Sequence, residues 1–203
     1  MADIMPEARA ARSLRRLVTL EHQCRRCALY LPATQVVPGR GARRARLMLV
    51  GEQPGDREDL AGEAFVGPAG RLLADALEEA GIDAGEVFLT NAVKHFKFEQ
   101  RGKRRIHQRP RAAEIDACNL WLQRELALVK PHMVVAMGAT AGRALLGRPV
   151  TVGRERGLQL ELPGGGALRL TVHPSYLLRL REREDRERQY RGFVADLRAA
   201  AAD

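Results

Sequence analysis

Four short apolar runs limit what this chain can fold into: LMLVG (47–51), VFLTN (87–91), HMVVAMG (132–138) and ALRLTVHP (167–174). Each is long enough for one strand, and the first three lack the polar alternation of a strand with one wet face. Such strands are buried on both sides, as in a parallel sheet covered by helices. Helical spacing fills the gaps between them. Leu72, Leu73, Ala76, Leu77 and Ala80 precede Gly81, a natural C-terminal stop; Ile115, Cys118, Leu122, Leu126 and Val129 follow Pro110; Tyr190, Phe193, Val194 and Leu197 share a face near the end. AGRALLG reads as a short helix, and Leu14, Leu17, Val18 and Leu20 as another before the first cysteine. LQLEL and ALRLTVHP flank a GGG turn and read as a hairpin or strand pair. The alternation predicts an α/β fold, a three-layer α/β/α sandwich around a mostly parallel sheet. With 203 residues, 45% of them hydrophobic, it predicts one domain over 1–203, with the N-terminal helix and a CxxC loop (about 7–40) packed on it. KHFKFEQRGKRRIHQRP (94–110) reads as a charged, irregular stretch, and the Arg/Glu run 179–188 as a solvated helix start.

The formal charge of +9 suits a polyanionic partner, although an arginine excess can also reflect genome composition. No stretch reaches the roughly 18 apolar residues that a membrane span needs, and MADIMPEARA lacks the cationic-then-apolar order of a signal peptide. An intracellular, cytoplasmic protein is expected. Three cysteines there leave metal binding, redox chemistry or burial.

In open parallel sheets, ligands bind at the carboxyl ends of the strands. GEQPG, TNAVKH and HPSYL each follow a strand, so three polar strand ends converge. GEQPG sets Glu52 and Gln53 between Gly51 and Gly55 in a tight turn, without the spacing of a phosphate loop. Phe65 opens FVGPAGRLL, where it can fill the core or stack on a planar ring. His173 ends an apolar strand. Cys24 and Cys27 form a CxxC which, with Cys118 and His95, could hold zinc or an iron-sulfur cluster, although Cys118 also fits an ordinary buried position. KRRIH (103–107) is a basic loop closed by a histidine.

GEQPG, FVGPAGRLL, TNAVKHFKF, KRRIH and VHPS, in that order, with CxxC upstream and a lone Cys118, together resemble the iron-sulfur uracil-DNA glycosylases of family four. The resemblance covers roughly residues 20 to 200. Gln53, His95 in place of a fourth cysteine, and the loop ending in His107 are similar to the X-type (UdgX) branch. The resemblance implies a [4Fe-4S] cluster on Cys24, Cys27, His95 and Cys118. It implies that Phe65 stacks on a flipped uracil, Asn91 bonds its Watson–Crick edge beside Gly51, and Glu58 excludes the thymine methyl. His173 would face uracil O2, and Glu52, with Gln53, would stabilise the sugar cation or take a proton. Lys103, Arg104, Arg105 and Ser175 would hold the DNA. His107 would attack C1′ and leave the protein joined to abasic DNA, a single-turnover outcome. The implied partners are uracil-containing DNA, single-stranded by preference, and uracil; a monomer suffices. Two alternatives remain: a hydrolytic uracil-DNA glycosylase that releases abasic DNA, and a noncatalytic metal-stabilised DNA-binding module.

Overall fold

The computed structural model describes residues 5–202; the first four residues of MADIMPEARA and Asp203, the extremes of the expected 1–203 span, lie outside the described residues. The chain runs through α1 (Met5–Ala10), α2 (Leu14–Glu21), β1 (Arg40–Gly41), β2 (Leu47–Gly51), α3 (Asp56–Ala61), α4 (Pro68–Ala80) and β3 (Val87–Asn91). It continues through β4 (Phe98–Arg101), β5 (Arg104–His107), α5 (Ala112–Val129), β6 (Met133–Met137), α6 (Ala139–Leu146) and α7 (Val152–Glu155). The last elements are β7 (Gln159–Glu161), β8 (Ala167–Thr171), α8 (Pro174–Arg179) and α9 (Arg183–Ala202).

Among the described residues, six strands form one sheet in the order β1-β3-β2-β6-β8-β7. The inner pairs β3/β2, β2/β6 and β6/β8 are parallel, and the short edge strands β1 and β7 are antiparallel. This is the expected sandwich. Because successive side chains point to opposite faces, Met48 and Val50 join a core with α1, α2, α5 and α6. Leu47 and Leu49 join a second core with α4 and α9. Both faces are therefore dry, which is why LMLVG and MVVAM have no polar alternation.

The structure departs from the sequence reading at three places. The stretch read as irregular after TNAVKH holds a hairpin, β4 with β5, in a sheet of its own; KRRIH is mostly strand rather than loop. Arg101 pairs with Arg104 across a two-residue turn whose first residue, Gly102, has φ 58°, the positive value that tight hairpin turns need. Its strands FEQR and RRIH carry too few apolar residues to show a period. Helix α3 follows GEQPG directly, started by the acids Asp56, Glu58 and Asp59 in its first turn. The run 179–188 is split between the end of α8 and the start of α9.

No helix among the described residues is long and apolar enough to cross a membrane.

Candidate active site

The register of the sheet lines up the strand ends that matter. Gly51, the last residue of β2, sits opposite Asn91, the last of β3, while Ala136 of β6 pairs with Val50. The chain leaves β2 for α4 on one face of the sheet and leaves β6 for α6 on the other, so a crevice opens at their carboxyl ends.

Gly51 forms the floor of that crevice. A Cβ there would stand 2.4 Å from Asn91 Oδ1, 2.8 Å from Phe65 Cζ and 3.4 Å from His173 Nε2. Three side chains from distant parts of the sequence thus converge on one point, and only glycine leaves it open. Phe65 adopts φ 58°, a left-handed conformation that is strained for a bulky residue. Gly70 permits it, because a Cβ at 70 would lie 2.0 Å from the Phe65 carbonyl oxygen.

His173 has its proton assigned by its neighbours. Nδ1 accepts from the Ser175 backbone N–H at 3.1 Å and lies 2.8 Å from Ser175 Oγ, which itself accepts from Arg179 Nη1 at 3.0 Å. With Nδ1 an acceptor, Nε2 carries the proton and donates towards the floor. Burial pushes the pKa down to about 4, so the ring is neutral at physiological pH. Ser175, expected on DNA, is in hydrogen-bond contact with this imidazole through both its N–H and its hydroxyl.

Glu52 follows Gly51. Its Oε2 accepts from Thr140 Oγ1 at 2.6 Å, and its Oε1 lies 3.3 Å from His107 Nε2. Burial pushes its pKa up, but hydrogen bonds from His107 and Thr140 outweigh that, and the carboxyl sits below its usual range. Glu52 and His107 line a cleft of about 1300 Å³ with Phe65, Asn91 and His173.

His107, 52% exposed, reaches Glu52 because the hairpin is fixed at two places. At its open end, the Gln53 amide donates to the carbonyls of Lys97 (3.2 Å) and Gln108 (3.0 Å) and accepts from Lys97 N–H (3.1 Å). Gln53, expected to be catalytic, has its amide bonded to backbone and anchors the hairpin. On β5, Arg105 donates to Asp56 Oδ1 and Asp59 Oδ2, both at 2.5 Å, and to Thr34 Oγ1 at 3.1 Å. Its guanidinium also lies over Phe96 and Phe98. Arg105, expected on phosphate, clasps β5 to α3, while Lys103 and Arg104 are exposed at the tip. Glu58, expected to exclude the thymine methyl, accepts from Gly55 N–H (3.1 Å) and Gly67 N–H (2.7 Å) with its two oxygens, tying GEQPG to the Phe65 loop.

The cluster expectation does not survive. Among the described residues, no group of three or more His, Cys, Asp or Glu side chains could hold a metal ion. Cys24 Sγ accepts from Trp121 Nε1–H at 3.2 Å, and Cys118 Sγ from Lys94 N–H at 3.2 Å. Burial pushes the Cys118 thiol up to about 12, and the Cys27 thiol upward too, whereas a cluster takes thiolates. Burial, assisted by Arg25, lowers His95 to about 4. Cys24, Cys27, His95 and Cys118 do not fit a [4Fe-4S] cluster as they stand, and the expectation is corrected.

Sequence reasoning missed Thr140, Asp56, Asp59 and Arg109. Only the two aspartates left a signal, as acids opening a helix after Gly55.

The sequence profile described as the uracil DNA glycosylase superfamily matches residues 38–198. The chain belongs to the uracil-DNA glycosylase superfamily. It is 38% identical over 163 residues to a type-4 uracil-DNA glycosylase of Thermotoga maritima, covering 80% of this chain and 81% of that one. It is 35% identical over 179 residues to a type-4 uracil-DNA glycosylase of Pyrobaculum aerophilum, covering 82% and 85%. A type-5 uracil-DNA glycosylase of the same organism is 34% identical over 128 residues, covering 54% and 52%. Within the superfamily, this glycosylase homologue is of the type-4 kind.

Proposed function

We propose that this chain is an X-type uracil-DNA glycosylase: it excises uracil from DNA and then joins itself to the abasic sugar through His107. One observation carries the second half of that reading, the placement of His107 Nε2 at 3.3 Å from Glu52 Oε1, in the cleft that also holds the Gly51 floor. A phosphate-binding residue has no need of a carboxylate partner. A nucleophile that must lose a proton does.

In this proposal a flipped uracil lies above Gly51, with Phe65 against its face and Asn91 at its Watson–Crick edge. The glycosidic bond breaks with its electron pair leaving on uracil. Neutral His173 donates Nε2–H to the developing anion at O2, and anionic Glu52 faces the positive charge growing at C1′. The His107 Nε2 proton passes to Glu52 first, the lone pair so freed on Nε2 bonds to C1′, and the product is a neutral alkylated imidazole with a free lone pair on Nδ1. With His107 alkylated, the protein has spent its nucleophile and turnover is single. Exposed Lys103 and Arg104 would meet phosphates near the nucleophile, and a single strand would offer its base at less cost than a duplex. One chain supplies every group named.

The test is stoichiometry. With excess single-stranded DNA carrying one uracil, release is expected to stop at about one uracil per protein, with no base released from a thymine control. Release continuing linearly past one equivalent would favour the hydrolytic alternative.

Gly51→Ala is expected to close the floor. Its methyl would meet Asn91, Phe65 and His173 together, and misplacement of about 1 Å costs on the order of 100-fold in rate. The check is uracil release with the melting temperature measured alongside; a variant that melts normally and excises normally would place the base elsewhere.

A further inference from the structure

We propose that Thr140 is a positioning residue for Glu52: its hydroxyl, directed by Arg109, occupies one carboxylate oxygen and reserves the other for His107. The inference rests on the function proposed above and extends it to a residue outside every motif of the sequence.

Thr140 is the second residue of α6, and its side chain is buried. A hydroxyl that serves a helix N-terminus does so from the cap position. Here the cap position is Gly138 with no side-chain bond, and the Thr140 hydroxyl turns to Glu52 Oε2 at 2.6 Å. Arg109 Nε donates to the same hydroxyl at 3.3 Å and stays 4.0 Å from Oε2.

The proton count fixes the direction. A hydroxyl has one proton and two lone pairs, and a guanidinium only donates. With a lone pair taken by Arg109, the single Thr140 proton goes to Glu52. Oε2 is thus satisfied by a neutral donor, and Oε1 is left facing His107 Nε2 at 3.3 Å. The groups facing this carboxylate are His107 from β5, Arg109 beyond it, Thr140 from α6 and His173 beyond β8. Of these, Thr140 is the one that orients the acid without titrating.

Thr140→Val keeps the shape and removes the bond, whereas Thr140→Ser keeps the bond. The first readout needs no activity: the carbon-13 carboxyl titration of Glu52 in the free protein. Its midpoint is expected to move to higher pH in Thr140→Val and to return in Thr140→Ser, because a hydrogen bond to a charged group favours the charged form. The second readout is the rate of covalent capture across pH, expected to fall about tenfold at neutral pH in the Val variant and to recover in the Ser variant. Thr140→Ala, which leaves a gap instead of a methyl beside a carboxylate, serves as a second variant if Val lowers the melting temperature. An unchanged Glu52 midpoint in folded Val and Ala variants overturns the proposal, and so does a shift that Ser does not restore. Failure of the wild-type protein to capture DNA would instead strike the function proposed above, and the titration would still decide the role of Thr140.

Discussion

His107→Ser is expected to convert a trap into a turnover enzyme. The substitution removes the nucleophile and frees Glu52 Oε1, whose partner in the native site is the imidazole at 3.3 Å. Water can then occupy the vacated volume, with the carboxylate positioned to take its proton. The Gly51 floor and the neutral His173 donor are untouched, because neither is built from the hairpin. Covalent product should fall from about one per protein to none, while free DNA that breaks under alkali at the uracil position accumulates. If the Ser variant bound DNA more weakly and still formed adduct, the role assigned to His107 would be lost.

Asp59→Ala is expected to produce the second-largest effect, at a distance from the chemistry. Asp59 is fully buried, and its oxygens accept from Arg105 Nη1 at 2.5 Å and from Thr34 N–H at 3.0 and 3.1 Å. Removing one member of such a pair leaves a guanidinium and an amide short of partners, at a cost of about 3 kcal/mol. The cost falls on a two-stranded hairpin, a unit of marginal stability in isolation. Gln53 would still hold its open end and Asp56 would still accept from Arg105, but β5 would lose the buried half of its clasp to α3. Capture should slow by roughly 100-fold, the scale set by a displacement of about 1 Å at a reacting atom. Uracil release should suffer less, because Phe65, Asn91 and His173 stay in place. Faster amide exchange in residues 98–107 would locate the damage, and an unchanged ratio of capture to release would show that the clasp does not position His107.

The sheet was legible because burial on both faces writes itself into the sequence. LMLVG and MVVAM have no polar position to confuse the period, and Gly81 marks the end of α4 as its spacing suggests. Strand ends are where an α/β sheet exposes polar groups, so the convergence of Glu52, Asn91 and His173 could be read without a structure. The hairpin could not. Its strands FEQR and RRIH are held by a cation over two rings and by ion pairs to α3, contacts that leave no apolar period. Roles within the site were equally hidden. Gln53, Glu58, Arg105 and Ser175 have the chemistry of ligand-binding groups, yet each spends its hydrogen bonds on the protein. The cysteines erred the other way: a CxxC with a distant Cys118 has ligand spacing, but Trp121 and the Lys94 amide point their protons at two of the sulfurs. Spacing reports which residues are near; it does not report where their lone pairs go.

Covalent capture through His107 is most directly tested by mixing the protein with a single-stranded oligonucleotide carrying one uracil, denaturing the mixture, and mapping any surviving protein-DNA species by peptide mass spectrometry. A uracil-dependent species that survives heat and detergent, with the deoxyribose mass on His107 and no counterpart from thymine DNA, is the predicted result. Free abasic DNA with unmodified protein, or a sugar attached to another residue, would contradict it.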